Sequence, residues 1–177
     1  FELSHFSSDS DLGQRLQNNG GIFEVSRERT EIQGIEVDAG WQINPVHYLN
    51  ATYAHISGKF DSDDDGTVDT RLDGRNIAPD SIQLRWHAKW TSKLDTQLQG
   101  THYFNKDFEG DTNDFSSYQL VDLSLGYALP KGQVTAGIEN LLNEDYFSYF
   151  SQTATTRDDQ NFKGRGRTVT LGYNLDF

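Results

Sequence analysis

Apolar and polar residues alternate with a period of two over much of this chain, and that alternation predicts a succession of β-strands. One face of the first clear run collects Ile35, Val37, Ala39, Trp41 and Ile43. A second run collects Ile82, Leu84, Trp86, Ala88 and Trp90, backed on its other side by Ser81, Gln83, Arg85, His87 and Lys89. Val121, Leu123, Leu125, Tyr127 and Leu129 form a third, and Val169, Leu171, Tyr173, Leu175 and Phe177 a fourth. About eight strands follow from the pattern. They cover about 1–8, 22–43, 48–60 and 82–90, a stretch from the 91–93 turn to about 105, and then about 121–129, 133–140 and 164–177.

Between these runs the connections alternate in length. Asn44-Pro45, Thr91-Ser92-Lys93 and Pro130-Lys131-Gly132 are tight turns, because proline fixes φ and glycine and serine suit turn positions. The remaining connections are long and polar: about 9–21, the acidic stretch after 60, about 107–117 and about 143–163. Short turns on one side and long loops on the other are what an antiparallel up-and-down transmembrane barrel requires, with lipid covering the apolar faces and the polar faces lining the lumen. Trp41, Trp86, Trp90, Tyr127, Tyr173 and Phe177 all sit toward the short-turn ends, where an interfacial aromatic belt is expected.

Composition narrows the classes. With 34% apolar content the chain has no run approaching the ~20 apolar residues of a membrane helix. A mean hydropathy of -0.71 still fits a barrel, whose strands expose every second residue to the lumen. There is no cysteine, so disulfides and thiolate metal sites are excluded. A net charge of -12 argues against nucleic acid as a partner. Phe1-Glu2-Leu3-Ser4-His5-Phe6 is not a signal peptide, and it reads as strand from the outset. Two rivals remain: a complete eight-stranded barrel with an adhesion or structural role, in which the first and last strands pair, and a soluble β-sandwich.

Four motifs add a family resemblance. Gly137-Ile138-Glu139-Asn140-Leu141-Leu142-Asn143-Glu144-Asp145-Tyr146 resembles the penultimate-strand motif of TonB-dependent outer-membrane receptors, and Lys163-Gly164-Arg165-Gly166-Arg167-Thr168 with terminal Phe177 resembles their last strand. Arg29-Thr30-Glu31-Ile32-Gln33-Gly34-Ile35-Glu36 and Tyr118-Gln119-Leu120-Val121-Asp122-Leu123 are similar to further family features in the same order. The resemblance implies that residues 1–177 are the C-terminal part of a barrel of about 22 strands, without the plug domain or the N-terminal segment, the TonB box, that contacts the TonB complex. It implies a Gram-negative outer-membrane receptor, monomeric and in contact with lipid and lipopolysaccharide. Such a receptor imports a ferric siderophore, with aerobactin and vibrioferrin receptors as the nearest subtype and haem or cobalamin as alternative ligands. Iron enters this picture as cargo, and no cofactor is required.

Candidate chemistry lies in the loops. An anionic ferric chelate is attracted by cations and packed by rings, which selects Arg71, Arg75, Tyr146, Phe147, Tyr149, Phe150, Arg157 and Arg165 as ligand-binding candidates. The bland alternative assigns the same rings to an outer-leaflet girdle and the arginines to lipopolysaccharide phosphates or lumen acids. Asp61-Ser62-Asp63-Asp64-Asp65-Gly66-Thr67-Val68-Asp69 matches the start of an EF-hand calcium loop, with Asp61, Asp63, Asp65 and Asp69 as metal candidates. Leu72 departs from it at the twelfth position, where a bidentate glutamate belongs, and a solvated acidic tip is the plainer reading. His5, His47, His55, His87 and His102 show no metalloprotease spacing, and no nucleophile elbow or phosphate loop is present. Nothing in the sequence argues for an enzyme.

Overall fold

The computed structural model describes residues 1–108, 115–154 and 160–175. The strands are β1 (Glu2–Asn19), β2 (Ile22–Gln42), β3 (His47–Phe60), β4 (Thr70–Arg71), β5 (Ser81–Lys89), β6 (Leu94–Tyr103), β7 (Tyr118–Leu129), β8 (Gly132–Glu139) and β9 (Thr168–Asn174), with one short helix, α1 (Tyr149–Thr153). All pair antiparallel in one sheet of order β1-β2-β3-β5-β6-β7-β8-β9, and the two-residue β4 pairs with β3 off that path. The eight long strands are those the alternation predicts, connected in an up-and-down meander.

Register fixes what each face presents, because directly opposite residues share a side of the sheet. Trp41, Leu49, Trp86, Leu98, Leu123, Ile138 and Val169 are successive partners across β2, β3, β5, β6, β7, β8 and β9. One row away the partners Asn50, Arg85, Gln99 and Asp122 run across the polar face. The apolar row stays uncovered: Trp41 is 65% exposed, Leu84 55% and Leu171 77%. Exposed apolar area on this scale demands a non-aqueous neighbour, which a bilayer supplies to a barrel wall. A soluble sandwich would have buried it.

Two expectations need correction. The stretch 9–19, expected as loop, continues β1, which pairs with β2 to Asn19↔Ile22 through a bulge between Ser10 and Gly13. The actual connection is the two-residue turn Gly20-Gly21, with φ of 62° and 91°, left-handed values that favour glycine and match the twist of a hairpin. The last strand is shorter than 164–177, and Phe177 lies outside the described residues. Among the described residues β1 and β9 do not pair, so the sheet stays open instead of closing as an eight-stranded barrel. Its two edge strands keep unpaired backbone groups, which lipid cannot satisfy.

At the short-turn end, the His47 ring stacks 5.6 Å from Trp86 and meets Trp90 edge-on at 5.3 Å, while the Tyr173 hydroxyl donates to the Lys131 carbonyl at 2.6 Å. This is the expected aromatic belt. At the long-loop end, segments from three connections fold against one another and against the upper polar face.

Candidate ligand-binding layer and acidic loop

Side-chain hydrogen bonds cross-link the polar face between β2 and β3 and along β5 and β6. Asp38 accepts from Asn50 Nδ2 at 3.0 Å on each oxygen and from Thr52 Oγ1 at 2.8 Å. Arg85 donates from Nε to Gln99 and from Nη2 to Gln83, both at 3.1 Å. Side chains locked by such pairs form a rigid polar wall.

Above that wall two apolar clusters hold the loops. Phe60, Leu72 and Ile77 bury one another against Ile32 and Ile56, while Phe108, Phe115 and Tyr118 pack with Tyr103, Leu120, Tyr146 and Tyr149. Polar ties join these clusters to the strands and to each other. Asn76 donates to the Leu16 carbonyl at 2.9 Å and accepts from the Leu16 N–H at 2.7 Å, docking the β4–β5 loop on β1. Gln152 accepts from the Ser116 N–H and donates to the Ser116 and Phe147 carbonyls. The Tyr149 hydroxyl donates to the Gly74 carbonyl at 2.9 Å. Burial, aided by the Asp73 charge, holds the Tyr149 phenol above its ordinary pKa.

The predicted ligand residues divide between this layer and its surface. Tyr146 and Tyr149 join the second aromatic cluster, with Tyr146 tilted against Tyr118 at 4.7 Å and Tyr149 edge-on to Phe115 at 5.6 Å. Arg75 is brought to the same place but buried, its guanidinium 4.7 Å over the Phe108 ring and 3.8 Å from Asp73. It holds the loops together and does not face an incoming anion. Arg71 is exposed and pairs in register with Lys59. Phe147 bridges to Lys163, and Phe150, 69% exposed, faces Phe162 at 6.3 Å. Arg165 is exposed and 3.9 Å from Glu139. Arg157 lies outside the described residues.

Two features were missed at the sequence level. His55 Nδ1 lies 2.8 Å from Asp80, and the Tyr53 hydroxyl donates to the same carboxylate at 2.9 Å. With Arg71, Asp73, Lys106 and Asp107 this pair lines a cleft of about 680 Å³ beside the loop layer. No spacing rule joins residues so far apart in the chain. The second is Asn140, quoted above only as part of a motif. It adopts φ of 50°, is 4% exposed, and its amide accepts from the Glu144 N–H at 2.8 Å while donating to the Glu144 and Arg165 carbonyls. Asn143, at φ of 54°, accepts from the Arg167 N–H at 3.1 Å. The two asparagines thus tie the exit of β8 to the approach of β9.

The acidic loop is only partly gathered. Asp61, Asp63 and Asp65 each place one carboxylate oxygen within 4.8 Å of the others, whereas Asp69 stands outside the group and accepts from Thr70 Oγ1. The wrap is made by Asp64 at φ of 58° and Gly66 at φ of 88°. Asp61 is buried, its Oδ2 accepting from the Gly66 N–H at 2.8 Å. Leu72, where the twelfth ligand belongs, is buried in the first apolar cluster.

An antiparallel meander with one apolar outer face, a hydrogen-bonded polar inner face, aromatic rings at its short turns and a folded loop layer at the other end is the architecture of a membrane β-barrel wall. Comparison with known proteins makes the class specific. The family described as TonB dependent receptor-like, beta-barrel, matches residues 5–141, and the chain belongs to that family. It is 27% identical to the ferric aerobactin receptors of Escherichia coli and Klebsiella pneumoniae over 92% of its own length, which is 23% of theirs. The chain therefore spans about a quarter of these curated relatives. In fold it is similar to the copper transporter OprC, with a TM-score of 0.77 and 15% identity over 99% of this chain and 28% of that one. The ferric-catecholate import receptor Fiu of E. coli K12 is also similar, with a TM-score of 0.65 and 17% identity over 99% and 25%. The barrels of this family are outer-membrane receptors and transporters of Gram-negative bacteria.

Proposed function

We propose that this chain forms part of the barrel wall and extracellular loop layer of an outer-membrane receptor that imports a ferric siderophore of the citrate-based, carboxylate type, energised through TonB. The observation that carries the reading is the likeness to ferric aerobactin receptors along 92% of the chain. The loop chemistry supports it. On a chain of net charge -12, Arg71 and Lys59 present exposed cations where two clefts meet the upper sheet. Exposed Phe150 and Phe162 offer apolar cover nearby in sequence to Arg165. Guanidinium and ammonium groups suit carboxylates, and rings suit the aliphatic body of such a chelate.

The open edges of the sheet are then completed by further strands of the receptor, and the polar wall of Asp38, Asn50, Arg85 and Gln99 faces a plug. Equilibrium titration of the full-length receptor in micelles with ferric aerobactin tests the ligand class. Binding that weakens about tenfold in Arg71→Ala supports the reading, as expected for a lost charge-assisted contact. Binding of ferric catecholates with no response to ferric carboxylates refutes it.

A further inference from the structure

We propose that residues 61–66 form a calcium-binding loop on the extracellular side of this receptor, built from Asp61, Asp63 and Asp65. The three carboxylates converge to within 4.8 Å, the spacing at which their oxygens can share one cation. Gathering like charges so closely is unfavourable unless a positive charge sits among them. All donors are oxygens, which selects a hard divalent ion, and calcium tolerates the irregular oxygen shell a loop supplies better than magnesium does.

A second observation points to a ligand independently of the cluster. Asp61 is only 5% exposed, and although its Oδ2 accepts from the Gly66 N–H, its Oδ1 is buried without any hydrogen-bond partner. A buried carboxylate oxygen with no donor is unfavourable, and a coordinated cation removes that cost. The surroundings hold this carboxylate in place. Its own N–H donates to the Arg29 carbonyl at 3.0 Å, and Arg29 Nη1 reaches back to the Gly66 carbonyl at 3.2 Å. Arg29 gives its Nε to Asp11, so its donors serve the loop's backbone and the β1–β2 hairpin. The loop is thus pinned on both sides of the three carboxylates.

The same geometry limits the affinity. An EF-hand loop adds a bidentate carboxylate at its twelfth position, and that ligand is absent here. Leu72 is buried among Phe60 and Ile77, and Asp73, one residue later, accepts from the Arg75 N–H and from Asn76 Nδ2. Asp69 does not reach the group. Water completes the shell, and a dissociation constant of about 10⁻⁴–10⁻³ M is expected, the range of extracellular calcium modules. This site is independent of which chelate the receptor transports.

Calorimetric titration of the full-length receptor in micelles with calcium chloride alone tests the proposal. One saturable site is expected, together with a higher thermal midpoint in calcium than in chelator. Asp63→Asn and Asp65→Asn, at exposed positions, are expected to weaken binding about tenfold or more by removing a ligand charge, whereas Asp69→Asn leaves it unchanged. Asp61→Asn is not relied on alone, since its burial makes it a folding risk. No saturable heat up to about ten times the expected range, or binding that survives both exposed substitutions, overturns the site.

Discussion

The Tyr149 hydroxyl donates to the carbonyl of Gly74 across 75 positions of chain, and this bond ties the segment before β9 to the loop between β4 and β5. Both loops also pack on the β6–β7 connection, whose Phe108 lies in the cluster that holds Tyr149 and carries Arg75 over its ring. The loop layer is therefore a cross-linked structure.

Tyr149→Phe removes that bond and leaves the ring. A loss of about 1 kcal/mol in the local stability of the layer is expected, the usual net worth of one hydrogen bond. It is read as faster amide exchange over residues 72–77 with the strands unaffected. The pH dependence has a definite sign. The phenol's pKa is raised in the folded state above its unfolded value of about 10, so its contribution is complete below about pH 10 and is lost as pH rises through the folded value. Exchange in the wild type should accelerate above that pH beyond the intrinsic rate, and the phenylalanine variant should lack this component. Identical alkaline profiles would assign the titration elsewhere.

Asn140 makes a second prediction. Its amide accepts from Glu144 and donates to two carbonyls from a left-handed backbone that asparagine tolerates better than most residues. Asn140→Leu leaves those groups buried and unpaired and is expected to cost on the order of 2–3 kcal/mol. Asn140→Asp keeps the acceptor but loses both donor bonds, so it falls between. Denaturant unfolding of the micelle-bound receptor gives the order, and a leucine variant as stable as the wild type would deny the tie between β8 and β9.

The sheet face yields a third. Leu84 is 55% exposed in the apolar row, and its neighbour Gln83 points to the polar side. Leu84→Lys is expected to cost about 2–4 kcal/mol near the bilayer midplane and to reduce the folded receptor in outer membranes, while Gln83→Lys is tolerated. Equal effects of the two substitutions would contradict the assignment of faces.

What could be read from the sequence tracks where one physical rule dominates. Toward the short turns, lipid on one side and polar contacts on the other impose strict alternation, and the strands there were legible from it, although β7 begins at Tyr118 and β9 only at Thr168. The upper half of β1 obeys no such rule. Asp9, Ser10 and Asp11 stand above the apolar band, where neither face needs to be greasy, and only pairing with Thr30 and Glu31 of β2 makes that segment a strand. The acidic loop was visible because its oxygens are spaced locally, yet Asp69 stands outside the group and Leu72 is buried by packing against Phe60 and Ile77. The His55–Asp80 pair, 25 residues apart, and the contact of Tyr149 with Gly74 are products of the register and could not be seen beforehand.

Uptake of labelled iron by iron-starved cells carrying the full-length receptor, with and without a working TonB, tests the central claim most directly. Accumulation from ferric aerobactin that disappears when TonB is removed is the predicted result. Accumulation from haem, or of labelled cobalamin, with none from any ferric siderophore, would contradict it.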